Sequence, residues 1–498
     1  MADAAISTVR PLPAQASIDE FRNYIAGDWV GSCTGEQFDD LNPADTSDIV
    51  GRFPACCATD AEIAVKSAAA AFPAWRRTPI SMRAKILNGA AAHLEANVEQ
   101  IARELTREQG KALSLSKDEI LRSAQTLRFY AVEGTSLAGE VVPNDDADML
   151  VYTEREPLGV VTVITPWNFP VSIPARKIAP ALITGNTVIF KPSSDAPLSG
   201  YRLTEAFAAA GIPKGVLNFI TGSAAEIGPA ITTSPVVRAI SFTGSTAAGE
   251  AIHRSVSFTT RTQLELGGKN PLIVMEDADL DKAVDLTIKG GLSLSGQACT
   301  GTSRVLVVKE VKAEFTSKLV AKVKALKIGS GMTAGTDIGP LTTARQLETV
   351  LRYIEIGKRE ATLLCGGARL SGPQHDRGYF VSPAVFTNVT QDMRIAREEI
   401  FGPVIAIIEV ANYADAIDKA NDSQYGLSAA IVTRNPRYMH DFVRDIESGT
   451  VKINRTTTGN LINAPFGGLK RSSTSTFREA GRTGLEFFTQ IKTVYRGC

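Results

Sequence analysis

From Val160 onward the chain alternates short apolar runs with amphipathic stretches, and that rhythm leaves few folds open. Val160–Ile164, Thr187–Phe190, Val216–Ile220 and Ala239–Phe242 read as buried strands. Val171–Ile183, Leu198–Ala210 and Ala224–Thr232, between them, read as helices. Strand and helix in turn imply right-handed crossovers and a parallel sheet, the usual platform for a dinucleotide. A second alternating series starts at Pro271–Met275 and continues through Arg304–Val308, Ala384–Phe386 and Val404–Glu409 to Val451–Ile453. The sequence therefore predicts an α/β protein with two sheets. Glu265–Gly268 falls at the join, which would face a cleft between domains, a common place for small-molecule sites.

Upstream, Leu87, Ala91, Leu94, Val98, Ile101 and Leu105 repeat at helical spacing, so residues 81–109 predict one long helix ended by Gly110. Two short β-prone segments, at 138–158 and near the C-terminus, fit neither sheet, and the first twenty residues read as a loose arm. A chain of 498 residues has room for two or three cores. Its 53 basic and 53 acidic residues cancel, which argues against a nucleic-acid partner. No apolar run is long enough to span a bilayer and no secretory signal is evident, so the expected location is the cytoplasm. Six cysteines in such a length are no disulfide framework. The adjacent pair Cys56 and Cys57 reads as small buried residues. The four histidines are scattered, and no spacing suggests a metal site.

Chemistry concentrates at three motifs. Cys299 sits in Gly296-Gln297-Ala298-Cys299-Thr300, among small and polar neighbours that leave a thiol accessible. Glu265 lies in Leu264-Glu265-Leu266-Gly267-Gly268, an apolar setting that should raise a carboxylate's pKa towards that of a useful base. Asn168 lies in Pro166-Trp167-Asn168-Phe169 and offers an amide donor. A thiol nucleophile, a carboxylate to activate water and a donor for an oxyanion are the parts for oxidising an aldehyde through a thioester. Phe242-Thr243-Gly244-Ser245, followed by Gly249, sets a tight turn between strand and helix, where a pyrophosphate can meet backbone donors. Alone, each motif also has a structural reading: a buried small thiol, a strand-end glutamate, a turn asparagine.

Together, in this order and from about Ile25 to Tyr495, the motifs resemble those of NAD(P)-dependent aldehyde dehydrogenases. The resemblance implies a fold with a Rossmann-like cofactor domain (1–137 and 159–265), a catalytic domain (266–480) and a small β oligomerisation element (138–158 and 481–498). It implies a homodimer or homotetramer. It also implies Cys299 as nucleophile, Glu265 as base, Asn168 as oxyanion donor and Lys177 in support. Cofactor contacts would come from Ile164, Thr165, Pro166, Trp167, Lys191, Ser193, Ser194, Gly222, Phe242, Gly244, Ser245, Leu266, Glu399 and Phe401. Ser194 stands where many strictly NAD-using members carry a glutamate, so NADP should be tolerated, with the preference between NAD and NADP left open.

Substrate contacts would fall to Phe169, Arg176, Ser293, Thr300, Arg455, Asn460 and Phe466. Arg176 occupies the place where succinic semialdehyde members hold the distal carboxylate, an anion that a guanidinium grips well. Its other reading is a structural arginine paired with an acid across the cleft. Ser293 stands where those members keep a second arginine, and Arg455 is a candidate replacement. The Thr-rich loop before Asn460 and the Ser472-Ser473 pair resemble bacterial α-ketoglutaric semialdehyde dehydrogenases. A carboxylate-bearing semialdehyde leads, with a broad aliphatic or aromatic aldehyde as alternative. A thiol hydrolase without redox chemistry and a non-catalytic protein on this fold are the rivals from other classes.

Overall fold

A computed structural model describes residues 18–474 and 476–497. The loose arm expected at the N-terminus lies outside these residues for its first seventeen positions. Two seven-stranded sheets dominate. The first runs, edge to edge, through Arg261–Glu265, Val237–Thr243, Val160–Ile164, Thr187–Lys191, Leu217–Phe219, Asn23–Ile25 and Asp28–Val30. Its strands from 160 to 265 pair in parallel, and the Val/Ile-rich Val160–Ile164 and Thr187–Lys191 are buried on both faces. The wholly parallel sheet expected from sequence needs one correction. Asn23–Ile25 joins antiparallel to Leu217–Phe219 and to Asp28–Val30. Ala26 and Gly27, at φ 55° and 86°, supply the tight turn of that hairpin.

The second sheet runs Thr362–Cys365, Ala384–Thr387, Val404–Val410, Thr302–Val308, Asn270–Val274, Ser428–Val432 and Thr450–Ile453. Only Thr362–Cys365 is antiparallel. A third, antiparallel sheet pairs Thr489–Gly497 with Met149–Pro157 along their whole length and adds Val141–Val142. These are the β-prone segments that fitted neither main sheet.

Residues 81–109 form two helices, Ile80–Ala96 and Val98–Gln109, instead of the one expected. Asn97 sits between them at φ −108°, ψ 17°, and both its amide and its Nδ2 donate to His93 O, at 3.1 and 2.8 Å. Asparagine offers the backbone this local alternative to helix, and the apolar face continues across the break because Leu87, Leu94, Ile101 and Leu105 share one core. Gly110 ends the second helix in the left-handed region, φ 92°. Cys56 is buried, but Cys57 is only partly so; it caps the Ala58–Trp75 helix and therefore stands at its mouth.

Candidate active site

The first sheet explains where the site lies. From the Val160–Ile164 strand the chain moves outward through Thr187–Lys191 and Leu217–Phe219. It then returns to the other side of the starting strand with Val237–Thr243. Loops leaving adjacent strands at such a reversal diverge and leave a crevice at their carboxyl ends. Ile164 lies in register with Lys191 on one side and Phe242 on the other, and Thr243 with Glu265. The chain then crosses through Leu266–Lys269 and enters the second sheet at Asn270. Glu265 is thus the last residue of one sheet, with four residues between it and the start of the other.

A cleft of about 470 Å³ opens there, and the loops of both sheets line it. Pro166, Trp167 and Asn168 come from one arm of the reversal, and Gly244 and Ser245 from the other. Leu266, Cys299, Glu399 and Phe401 complete the part expected from sequence. Ile164, Thr165, Lys191, Ser193, Ser194, Gly222 and Phe242 sit behind or beside this wall. Ser194 Oγ donates to Gly222 O at 3.0 Å. Buried Lys191 is pushed down to about pKa 8 by desolvation, against the pull of Asp195. The hydroxyls of Thr165 and Thr243 are buried with no partner. Ser245 caps the Thr246–Ser255 helix by accepting from the Ala248 amide. Orphan hydroxyls, a helix mouth and a long cleft suit a dinucleotide.

Cys299 lies in the loop between the Leu280–Gly291 helix and the Thr302–Val308 strand. That loop is held tightly. Leu294 and Ser295 both adopt left-handed backbone, φ 56° and 55°, fixed by Ser295 Oγ donating to Gly339 O and by the Thr342 amide donating to Gln297 Oε1. Asn168 Nδ2 donates to Gln297 O at 2.9 Å, and Asn270 Nδ2 to Cys299 O at 2.8 Å. Two glycines allow the close approach. A Cβ on Gly268 would meet Cys299 O at 2.6 Å, and one on Gly267 would strike Glu399 Oε2 at 2.2 Å. Glu399 instead accepts from the Gly268 amide at 3.0 Å. Trp167 and Phe401 meet edge to face, 5.4 Å between centroids.

The charges are unusual for a dry interior. Glu265 is buried, and neither carboxylate oxygen has a hydrogen-bond partner. Burial raises its pKa well above the carboxylate range, Glu479 adds repulsion, and Lys177, Arg478 and Arg176 pull the other way. Glu479, also buried, pairs with Lys177 Nζ at 2.9 Å and more loosely with Arg176 at 3.8 Å. Burial lifts Glu479, but these two cations outweigh it and leave it below its usual range. Lys177 also donates to Ser241 Oγ at 3.0 Å. The Cys299 thiol is pushed up to about 12, chiefly by burial; Arg176 opposes this, and Glu399, Glu265 and Glu479 reinforce it.

Among the substrate residues, Phe466 is buried and packs on Cys299, with Arg176 over its ring at 5.6 Å. Phe169 lies under Lys111 Nζ at 4.7 Å, and Thr300 is buried. None of the seven residues expected at the substrate lines the cleft itself; Phe466 and Arg176 reach the site through their packing near Cys299, and Arg455 is exposed on its loop.

A protein-family model described as the aldehyde dehydrogenase family matches residues 29–494. The chain belongs to the aldehyde dehydrogenase family. Its activity is the NAD(P)-dependent oxidation of an aldehyde. It is 44% identical to the α-ketoglutaric semialdehyde dehydrogenase of Bacillus subtilis over 95% of this chain and 98% of that protein. It is 40% identical to the 2,5-dioxopentanoate dehydrogenase of Saccharolobus solfataricus over 95% and 98%. Betaine aldehyde dehydrogenase of Staphylococcus aureus in complex with NAD+ superposes with a TM-score of 0.93 at 34% identity, covering 96% of this chain and 95% of that one. An NADP-dependent enzyme of E. coli superposes at 0.91 and 36%, covering 96% and 98%.

Several residues of this aldehyde dehydrogenase site escaped the sequence reading. Glu479 stands in no motif; its bridge to Phe466, and the bond from Gln263 Nε2 to the carbonyl of its neighbour Arg478, bring it to Lys177. Asp195, Thr343, Arg345 and Gln346 line the cleft, and Gln346 Nε2 holds the carbonyls of Ile400 and Phe401 at 2.9 and 2.8 Å. Lys111 and Glu119 lie under the Asn168 loop. The glycine before Lys111 was the one available signal, and it read as a helix stop.

Proposed function

We propose that this dehydrogenase oxidises a carboxylate-bearing semialdehyde of the α-ketoglutaric or succinic kind through a thioester on Cys299. The observation that carries the substrate class is Arg176. It stands over Phe466 beside Cys299, its Nε is buried without a partner, and Glu479 engages it only at 3.8 Å. A guanidinium so poorly satisfied gains most from a ligand carboxylate. Further cations extend the path: Arg176 repels Arg122, and Arg122 and Arg455 both repel Lys452. The names of the Bacillus and Saccharolobus relatives point the same way.

The reaction follows from the site. Cys299, which lines the cleft, passes its thiol proton to solvent water there, and its sulfur adds to the aldehyde carbon as the carbonyl electron pair moves onto oxygen. The free Nδ2 proton of Asn168 and the Cys299 amide face the resulting oxyanion, each such donor being worth about 3 kcal/mol of barrier. NAD(P)+ held along Trp167, Gly244, Ser245, Glu399 and Phe401 would supply the acceptor for the hydride that the Cys299-bound carbon loses in becoming the thioester. Glu265 then removes a proton from water, which attacks the acyl carbon; the carbon–sulfur bond breaks and the acid leaves. Lys177 supports the base through Glu479, keeping that second carboxylate ionised and in place.

Ser194 is uncharged where a glutamate would repel a 2′-phosphate, and Lys191 stands close by, so NADP is accepted alongside NAD. Asp195 borders the same end, but Lys191 and Arg345 both act against its charge. The assembly is a homodimer or dimer of dimers in the cytoplasm. One steady-state series tests substrate and cofactor together. Arg176→Ala should lose kcat/KM about a hundredfold on α-ketoglutaric semialdehyde and within about threefold on a plain alkanal of similar length, measured with each cofactor. Equal losses on both aldehydes would remove the carboxylate anchor, and wild-type rejection of NADP would remove the cofactor reading.

A further inference from the structure

The sequence held no metal-ligand spacing, yet folding brings Cys33, Cys57 and Asp60 together, their ligand atoms all within 4.8 Å of one another. Cys33 lies in the turn after Asp28–Val30, and Cys57 caps the Ala58–Trp75 helix. The carboxylate of this trio is already engaged. Asp60 accepts from the Cys33 amide at 3.0 and 3.2 Å, from the Cys57 amide at 3.1 Å and from Ser32 Oγ at 3.2 Å. Oδ2 accepts from all three donors, and Oδ1 shares the Cys33 amide, so Asp60 spends most of its carboxylate's acceptor capacity on its own surroundings. It works as a clasp that holds the two cysteine backbones side by side. What remains for chemistry is the pair of thiols. Cys33 is exposed and Cys57 partly so, which lets a small reagent reach both.

We propose that Cys33 and Cys57 are a reversible redox-modification site, separate from Cys299, that closes to a disulfide by exchange with a low-molecular-weight disulfide of the glutathione type. The Cys57 thiolate attacks one sulfur of glutathione disulfide and expels one glutathione thiolate, leaving a mixed disulfide on Cys57. The Cys33 thiolate then attacks the Cys57 sulfur and expels the second glutathione. Two protein thiols become one disulfide, one glutathione disulfide becomes two glutathiones, and the two thiol protons end on the two leaving thiolates.

The roles follow from the surroundings. Cys57 is held below the usual thiol range, first by a hydrogen bond from Cys33 and then by the Asp60 amide in the first helical turn. Cys33, Cys56 and Cys299 are pushed up to about 12, and Cys365 is also raised. A low-pKa thiol at a helix N-terminus with a resolving neighbour is the arrangement that responds to oxidants. Buried Cys56, next in the chain, is left out: Asn23 Nδ2 donates to its sulfur and its amide is tied to Thr221 O.

The test uses the full chain, equilibrated over a graded ratio of oxidised to reduced glutathione, then alkylated, digested and mapped by mass spectrometry. The peptides of Cys33 and Cys57 should lose alkylation together, appear as one crosslinked species and return together on reduction. Cys33→Ser, an exposed change, should leave Cys57 carrying a glutathione instead. Cys57→Ser, which keeps a capping side chain, should abolish the crosslink and leave Cys33 alkylatable. If both wild-type cysteines stay independently alkylated while Cys299 is modified, or if wild-type Cys57 ends as a stable glutathione adduct, the proposal fails.

Discussion

Glu265 is the residue whose surroundings say most about the order of proton transfers. Burial of a carboxylate with two unpartnered oxygens raises its pKa well above the usual carboxylate range, and Glu479, held beside Lys177, adds repulsion in the same direction. The raised pKa makes Glu265 a stronger base once ionised, and only the ionised form can take the proton from water that the proposed hydrolysis requires. Its raised pKa fixes the sign of the pH effect: thioester hydrolysis is slow while Glu265 is protonated and quickens as pH rises through that pKa. Glu265→Gln should lower steady-state turnover by about 10²–10⁴ and abolish the rising limb of the pH profile. Rapid mixing of this variant with aldehyde should still give a first-turnover burst of reduced cofactor. A missing burst would move Glu265 to the earlier step of thiol deprotonation, and wild-type turnover would dismiss it as the base.

One scale up, the Asn168 loop depends on a buried ion pair carried by two other elements. Lys111, just after the Val98–Gln109 helix, and Glu119, on the Leu113–Glu133 helix, meet at 2.5 Å with side chains only 1% and 2% exposed. Lys111 Nζ also donates to Asn168 O at 2.7 Å. Glu119 Oε1 accepts from the amides of Val171 and Ser172, at 2.9 and 3.0 Å, as the next helix begins. The pair thus fixes both ends of the segment that carries Asn168, the proposed oxyanion donor. Glu119→Gln should cost about 3–5 kcal/mol of stability, because the buried Lys111 loses its counter-charge. A Lys111→Met/Glu119→Gln double variant should recover much of that in denaturant melts. Its kcat should nevertheless stay about tenfold or more below wild type, since Asn168 O has lost its donor. Recovery of kcat along with stability would make the pair structural only.

This device also marks how far the sequence could be read. The strands of the first sheet and Cys299, Glu265, Asn168, Gly244 and Glu399 were visible because each sits in a local pattern of apolar period or glycine spacing. Lys111, Glu119 and Glu479 were not, because each acts through a partner more than fifty residues away or in another element. The break at Asn97 was hidden for the opposite reason: a local side-chain bond interrupted a helix without disturbing its apolar stripe. The Asn23–Val30 hairpin was missed because three-residue strands carry too little period to register.

For the whole molecule, the third sheet poses a problem that one chain does not solve. The nine-residue strand Thr489–Gly497 is paired along one edge by Met149–Pro157, and no described strand pairs its other edge. Val141, Leu150, Ile491 and Tyr495 are 73%, 41%, 60% and 70% exposed on this small sheet. A long free edge beside apolar side chains invites another strand or sheet, and in a homo-oligomer the same patch on a second copy is the natural cover. The cleft is lined by loops of the two large sheets, so this exposed edge and the cleft belong to different sheets. Ile491→Lys with Tyr495→Lys should therefore lower the mass seen by light scattering on a sizing column while circular dichroism keeps its helical and strand signal. Lysine suits the substitution because it remains compatible with an exposed strand yet opposes edge-to-edge contact by charge. If the doubly substituted protein runs at the wild-type mass, the subunits meet elsewhere, and this edge needs another explanation.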